Sequence, residues 1–168
     1  ARIAEETEAL LAGTGRRPDG AAFFRPGDEI DGLVAEAADA LADQLEAAAI
    51  VTPTLSGRTA RLLARYRPWA RIVALGPTAE VIRRMALVWG LTPVQLRPLK
   101  SGDDRLLAAV RDAFAAGAVR PGERVVVLAG HPIEGGSRFA TVRAGRGGPA
   151  GAPWQARAVG PIDVAAPR

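Results

Sequence analysis

A chain of 168 residues that is 48% apolar is long enough to bury a core and too apolar to be disordered over most of its length. It contains no cysteine, which excludes disulfides and thiol chemistry and fits a reducing cytoplasm. Charges interrupt every apolar stretch short of the roughly 20 residues that a membrane helix needs. The net charge of +4 invites a nucleic-acid reading, but Lys100 is the single lysine, the arginines are scattered among the predicted helices, and aromatic residues make up only 5%.

The first residue is Ala1 rather than Met, which fits a piece of a longer chain, and Ala1 to Leu11 is a weakly amphipathic acidic segment rather than a signal peptide. Gly13 to Asp19 is a loop whose Gly-x-Gly follows no strand, so it does not make a dinucleotide fingerprint. Asp28 is placed to cap a long helix from Glu29 to about Ala48, with Ile30, Leu33, Val34, Ala37, Leu41 and Leu45 on one face. A first strand, Ala49–Thr52, breaks at Pro53 into a hydroxyl-rich turn that starts the helix Arg58–Tyr66. The next elements are a strand at Arg71–Leu75, a helix at Ala79–Trp89 capped by Thr78 and stopped by Gly90, and a strand at Val94–Arg97. Ser101 and Asp104 have the spacing of a capping box for a helix at Asp103–Ala116, closed by Gly117. The uninterrupted Arg124-Val-Val-Val-Leu-Ala129 predicts a strand buried on both faces, the sign of a parallel sheet covered by helices. A loop from Gly130 to Ser137 precedes a fifth strand, Arg138–Arg143, and the Gly/Ala/Pro-rich stretch from Gly145 is expected to be loose despite Trp154.

Strands alternating with helices predict an α/β, three-layer sandwich: a doubly wound, mostly parallel sheet of about five strands with helices on both faces. Residues 1–144 form the domain and 145–168 the tail. Ligands of such sheets bind beyond the carboxyl ends of the strands. The turn Thr54-Leu-Ser-Gly-Arg-Thr59 at that edge offers backbone N–H groups, three hydroxyls (Thr54, Ser56, Thr59) and the Arg58 guanidinium around one point, a means of holding phosphate without a metal or a base. The same residues could simply cap the helix. Arg58 in a first turn is unfavourable for the helix dipole unless an anion sits opposite. Lys100, on the loop Pro98–Gly102, and Arg105, in the first turn of the helix that follows, come within reach of that turn, and either can equally be a solvated surface cation. His131, the only histidine, has no nucleophile, orienting Asp or metal-ligand spacing beside it and reads as loop structure. Trp69 and Trp89 read as packing, and the acid pairs Glu5/Glu6 and Asp103/Asp104 as first-turn helix charges rather than a catalytic pair.

Three stretches carry a resemblance: Thr54-Leu-Ser-Gly-Arg-Thr-Ala60, Arg65-Tyr-Arg-Pro-Trp-Ala-Arg-Ile-Val-Ala74 and Ala86-Leu-Val-Trp-Gly-Leu-Thr-Pro-Val94. With Gly117-x-x-x-Pro-Gly-Glu-Arg-Val-Val-Val-Leu-Ala-Gly130 and Ala1-Arg-Ile-Ala-Glu-Glu-Thr-Glu8, the chain over about residues 1 to 144 resembles the C-terminal α/β domain of pyruvate kinase. The resemblance implies an allosteric and assembly module of a glycolytic phosphotransferase. In that family the turn matching Thr54, Leu55, Ser56, Gly57, Arg58 and Thr59 cradles one phosphate of an activating sugar phosphate or AMP. An arginine matching Arg105 can meet another phosphate, and the loop matching His131–Ser137, with Gly135 and Gly136, closes over the ligand. The domain pairs with its own copies in a tetramer. The transfer of a phosphoryl group from phosphoenolpyruvate to ADP, with magnesium and potassium, takes place in a barrel upstream, so no catalytic or metal-binding residue and no cofactor is expected in this chain.

Two departures accompany the resemblance. Where the family ends its last loop on Gly-x-Thr-Asn, this chain has Ser137-Arg-Phe-Ala140, which changes the lid, and the tail from Gly145 matches nothing in the family pattern. Besides the regulatory domain of a pyruvate kinase, two other readings stand: a stand-alone phospho-metabolite sensor of the same fold, and a basic nucleic-acid-binding module.

Overall fold

The computed structural model describes Glu6 and residues 29–98, 105–132, 138–146 and 155–157. Their elements run α1 (Glu29–Gln44), β1 (Ala49–Pro53), α2 (Arg58–Tyr66), β2 (Arg71–Gly76), α3 (Ala79–Met85), β3 (Leu91–Gln95), α4 (Arg105–Ala115), β4 (Arg124–Pro132), β5 (Arg138–Arg146) and β6 (Gln155–Arg157). The strands form one sheet in the order β3-β2-β1-β4-β5-β6. The first four are parallel, while β5 runs antiparallel to β4, and β6 antiparallel to β5.

The centre of the sheet follows from composition. All five residues of β1 are buried, as are Val125 to Ala129 of β4, because helices cover both faces and leave no side for polar residues. Alternation sorts them. Ile50, Ile72, Val126 and Leu128 face α1 and α2, where they meet Val34, Ala35, Ala38, Leu62, Leu63 and Tyr66. Val51, Val73, Leu75, Val125 and Val127 face α4, packing on Leu106, Ala109, Val110 and Ala113. Each fully buried Leu or Ile in these layers contributes about 1.5–3 kcal/mol relative to exposure. The three-layer, mostly parallel architecture expected from the sequence is the one observed.

Several boundaries differ, each for a tertiary reason. The buried stripe of α1 is rotated from the expected one: Leu33 is exposed, and the small residues Ala35, Ala38 and Ala42 take the contact, letting the helix lie close to the sheet. The helix α3 ends at Met85 rather than Trp89. Strand β3 begins three residues and ends two residues earlier than expected and includes Pro93, tolerated because β3 is the edge strand and needs no N–H on its open side. Residues 130–132, expected as loop, continue β4 and pair with β5, so His131 stands on a strand. Strand β5 extends to Arg146, and Gln155–Arg157, within the stretch expected to be loose, adds a sixth strand along it. The capping box at Ser101 and Asp104 and the amino-terminal segment lie outside the described residues, Glu6 excepted. The Thr78 cap is present: its hydroxyl accepts a hydrogen bond from the Val81 N–H at 3.3 Å.

Candidate functional site

β1 has β2 on one side and β4 on the other, so the chain's winding reverses there. A crevice at the carboxyl end of such a switch strand is where open α/β sheets receive ligands. The segment that leaves β1 at this point is Thr54 to Gly57. The Thr54 N–H donates to the Leu75 carbonyl at 2.9 Å, continuing the sheet by one bond past the strand. The buried Thr54 side chain then turns the chain, its Oγ1 accepting from the Gly57 N–H at 3.0 Å. Leu55 and Ser56, between these anchors, are exposed.

Gly57 closes the turn and opens α2 with φ 78° and ψ 4°, a left-handed conformation that glycine adopts without a Cβ penalty. No side chain caps α2 and no acidic residue stands in its first turn. Of the three hydroxyls, that of Thr54 takes the Gly57 amide at the helix start, as the capping alternative allows, while Gly57 itself brings no capping side chain to α2 and no acidic residue stands against its partial positive charge. Thr59 is half-buried on the first turn.

Arg58 meets the anion that its position on the dipole called for, but from within the chain. Its Nε lies 3.4 Å from Asp31 Oδ2 on α1. Arg61, one turn further on, was not singled out by sequence reasoning. Its Nη1 donates to the Ser56 carbonyl at 3.2 Å, bringing the guanidinium back over the turn. A Cβ placed on Gly57 would lie 3.0 Å from the same nitrogen and 3.0 Å from Met85 Cγ, so the absence of a side chain at position 57 is what admits both. The signal for Arg61 was available: helical Cα–Cβ bonds tilt toward the amino terminus, so an arginine one turn inside a helix reaches back over the preceding loop.

Thr54, Leu55, Ser56, Gly57, Arg58 and Thr59 are thus contiguous at the switch point. Arg105 is the first residue of α4, which follows β3. Lys100, Gly135, Gly136 and the Ser137 end of the expected lid lie outside the described residues. Among the described residues no group of three His, Asp or Glu side chains could hold a metal ion, and no helix is long and apolar enough to cross a membrane.

Residues 33–143 match the family described as pyruvate kinase, alpha/beta domain. The chain is 44% identical over 89 residues to the pyruvate kinase of Geobacillus stearothermophilus, a stretch that is 53% of this chain and 15% of that protein. To the pyruvate kinase of Clostridium acetobutylicum it is 42% identical over 91 residues, 54% of this chain and 19% of the relative. To that of Staphylococcus aureus, strain USA300, it is 41% identical over 88 residues, 52% and 15% respectively. The matched stretch is under a fifth of each relative's length.

Proposed function

The chain belongs to the family of the pyruvate kinase alpha/beta domain, and from that premise we propose that it is the regulatory and assembly domain of a cytoplasmic pyruvate kinase, binding a phosphorylated effector in the turn Thr54–Thr59. Phosphoryl transfer from phosphoenolpyruvate to ADP, with its magnesium and potassium, belongs in this reading to a barrel outside the chain. The observation that carries it is the turn itself: hydroxyls and amides gathered at the switch point, ahead of a helix whose amino terminus has neither a capping side chain nor an acidic residue. A phosphate dianion there would gain from the helix field and from oriented N–H donors together.

Regulation would follow by population shift. A ligand that binds one arrangement of the effector turn more tightly biases the domain toward it, by no more than its difference in affinity for the two arrangements. Contacts between copies of the domain would carry that bias to the catalytic barrels.

The test is isothermal calorimetry of the 168-residue chain with fructose 1,6-bisphosphate, glucose 6-phosphate and AMP, alongside a Ser56→Ala/Thr59→Val double variant. At least one ligand should bind, and the double variant should weaken it about tenfold or more, since each hydroxyl bond to a charged group is worth about 1.5–3 kcal/mol. Absence of binding for every ligand, or binding indifferent to the two hydroxyls, would overturn the proposal.

A further inference from the structure

We infer that Arg61, and not Arg58, is the guanidinium that meets the effector's phosphate, Arg58 being a positioning residue that ties α2 to α1. This rests on the effector site proposed above and adds to it the residue that supplies the counter-charge. The two arginines are one helical turn apart but differ in what they already hold. The Arg58 Nε lies 3.4 Å from the half-buried carboxylate of Asp31, so an incoming anion would have to compete with a charge supplied by the fold. Arg61 pairs with no carboxylate among the described residues; its Nη1 donates to a neutral carbonyl, that of Ser56.

Position favours the same assignment. The Arg61 Nη1 would stand 3.0 Å from a Cβ on Gly57, directly over the residue that links the turn to α2. Arg61 is exposed, and the fully buried Met85 approaches Gly57 as well. A phosphate held by the first-turn amides of α2 would exchange the Ser56 carbonyl for its own oxygens as Arg61's acceptor, replacing a neutral hydrogen bond by a charge-assisted, bidentate one. The ligand class is a phosphomonoester dianion, whether carried by a sugar phosphate or by a nucleoside monophosphate.

The experiment titrates inorganic phosphate, fructose 1,6-bisphosphate and AMP into the full chain and into its Arg61→Gln, Arg61→Lys and Arg58→Gln variants. Whichever ligand binds the unmodified chain should bind Arg61→Gln tenfold or more weakly. Arg61→Lys should recover part of the loss, because charge is restored without the fork, and Arg58→Gln should stay within threefold. In parallel, phenylglyoxal labelling of the unmodified chain, mapped by peptide mass spectrometry, should show Arg61 protected by the bound ligand and Arg58 not. Arg61→Gln binding within tenfold of the unmodified chain overturns the assignment, as does Arg58→Gln losing as much affinity, or labelling of Arg61 that the ligand leaves unchanged. An unmodified chain that binds none of the three ligands removes the effector site itself, whereas retained binding in Arg61→Gln removes only this assignment.

Discussion

Replacing Gly57 by alanine tests how tightly the turn is built, and its cost can be worked out against an internal control. At φ 78° an L-residue occupies the left-handed region, a cost of roughly 1–2 kcal/mol, from which about 0.4–1 kcal/mol returns because alanine restricts the unfolded chain. The new Cβ would also lie 3.0 Å from Arg61 Nη1, 3.0 Å from Met85 Cγ and 3.4 Å from its sulfur. The arginine tip can swing into solvent. Met85 cannot move as freely: it is fully buried between Ala60 and Ala74, with Val81, Ile82 and Leu91 packed around them, and forcing it aside carries the overpacking cost of about 1–3 kcal/mol. Gly90 has nearly the same conformation, φ 74°, with nothing within 4 Å of an added Cβ, so Gly90→Ala isolates the backbone cost. Urea unfolding followed by circular dichroism should therefore show Gly57→Ala less stable than Gly90→Ala by about 1–2 kcal/mol, the lower part of that overpacking range. The excess should shrink in a Met85→Ala background, where the contact is absent. Equal losses at the two glycines would refute the argument, because Met85 would then not be fixed against the turn.

Two further substitutions probe groups that the fold treats in opposite ways. The side chain of Asp112 on α4 is buried and accepts from the Arg97 N–H at 2.8 Å and from Arg97 Nε at 2.7 Å, with Nη2 2.7 Å away, so it pins the segment after β3 to the helix layer. Asp112→Ala should cost about 2 kcal/mol in urea unfolding, below the 3–5 kcal/mol of a fully buried pair because Arg97 is largely exposed; a change under about 0.5 kcal/mol, the usual range for an ordinary surface site, would sink the reading. Thr52 on β1 is fully buried, and its Oγ1 has no hydrogen-bond partner. Thr52→Val keeps the shape and removes that unpaired hydroxyl, so the melting temperature should rise by about 2–4 °C, the shift that about 1 kcal/mol gives a chain of this size. A fall would mean that the hydroxyl is satisfied in solution.

What could be read from the chain, and what could not, divides by the range of the interaction. The strands at Ala49–Thr52, which continues one residue further through Pro53, and Arg124–Ala129 were legible because burial on both faces leaves β-branched and small apolar residues in unbroken runs. The Thr78 cap was legible because its partner, Val81, is three residues away. The turn Thr54–Gly57 was legible as a cluster of hydroxyls, but not the use it makes of them: the same residues serve capping or anion binding, and the bond from Gly57 N–H to Thr54 Oγ1 assigns one of the hydroxyls to the helix start. The place of β3 was missed because Pro93 argues against a strand until the strand is known to be an edge, which is a property of the whole sheet. The rotation of α1 was missed for a similar reason: periodicity favours leucines on the buried face, but closeness to the sheet selects alanines. The Arg58–Asp31 pair spans two helices with β1 between them, beyond any local pattern.

The same distinction bears on why a basic chain need not be a nucleic-acid binder. Counted along the sequence, the arginines give an excess of positive charge; placed in space, many are answered locally. Arg58 faces Asp31, Arg71 faces Glu123 at 2.8 Å, Arg84 faces Glu80 at 2.6 Å and Arg97 faces Asp112 at 2.7 Å. Arg67 lies over the ring of Trp89, 4.8 Å from its centroid. These pairs are spread over α2, β2, α3 and the segment after β3. A polyanion would have to break several such pairs at once to gain its contacts. In the reading proposed above, a single phosphate needs only one exposed guanidinium beside oriented amides, and Arg61 reaches over the turn after β1 at the start of α2.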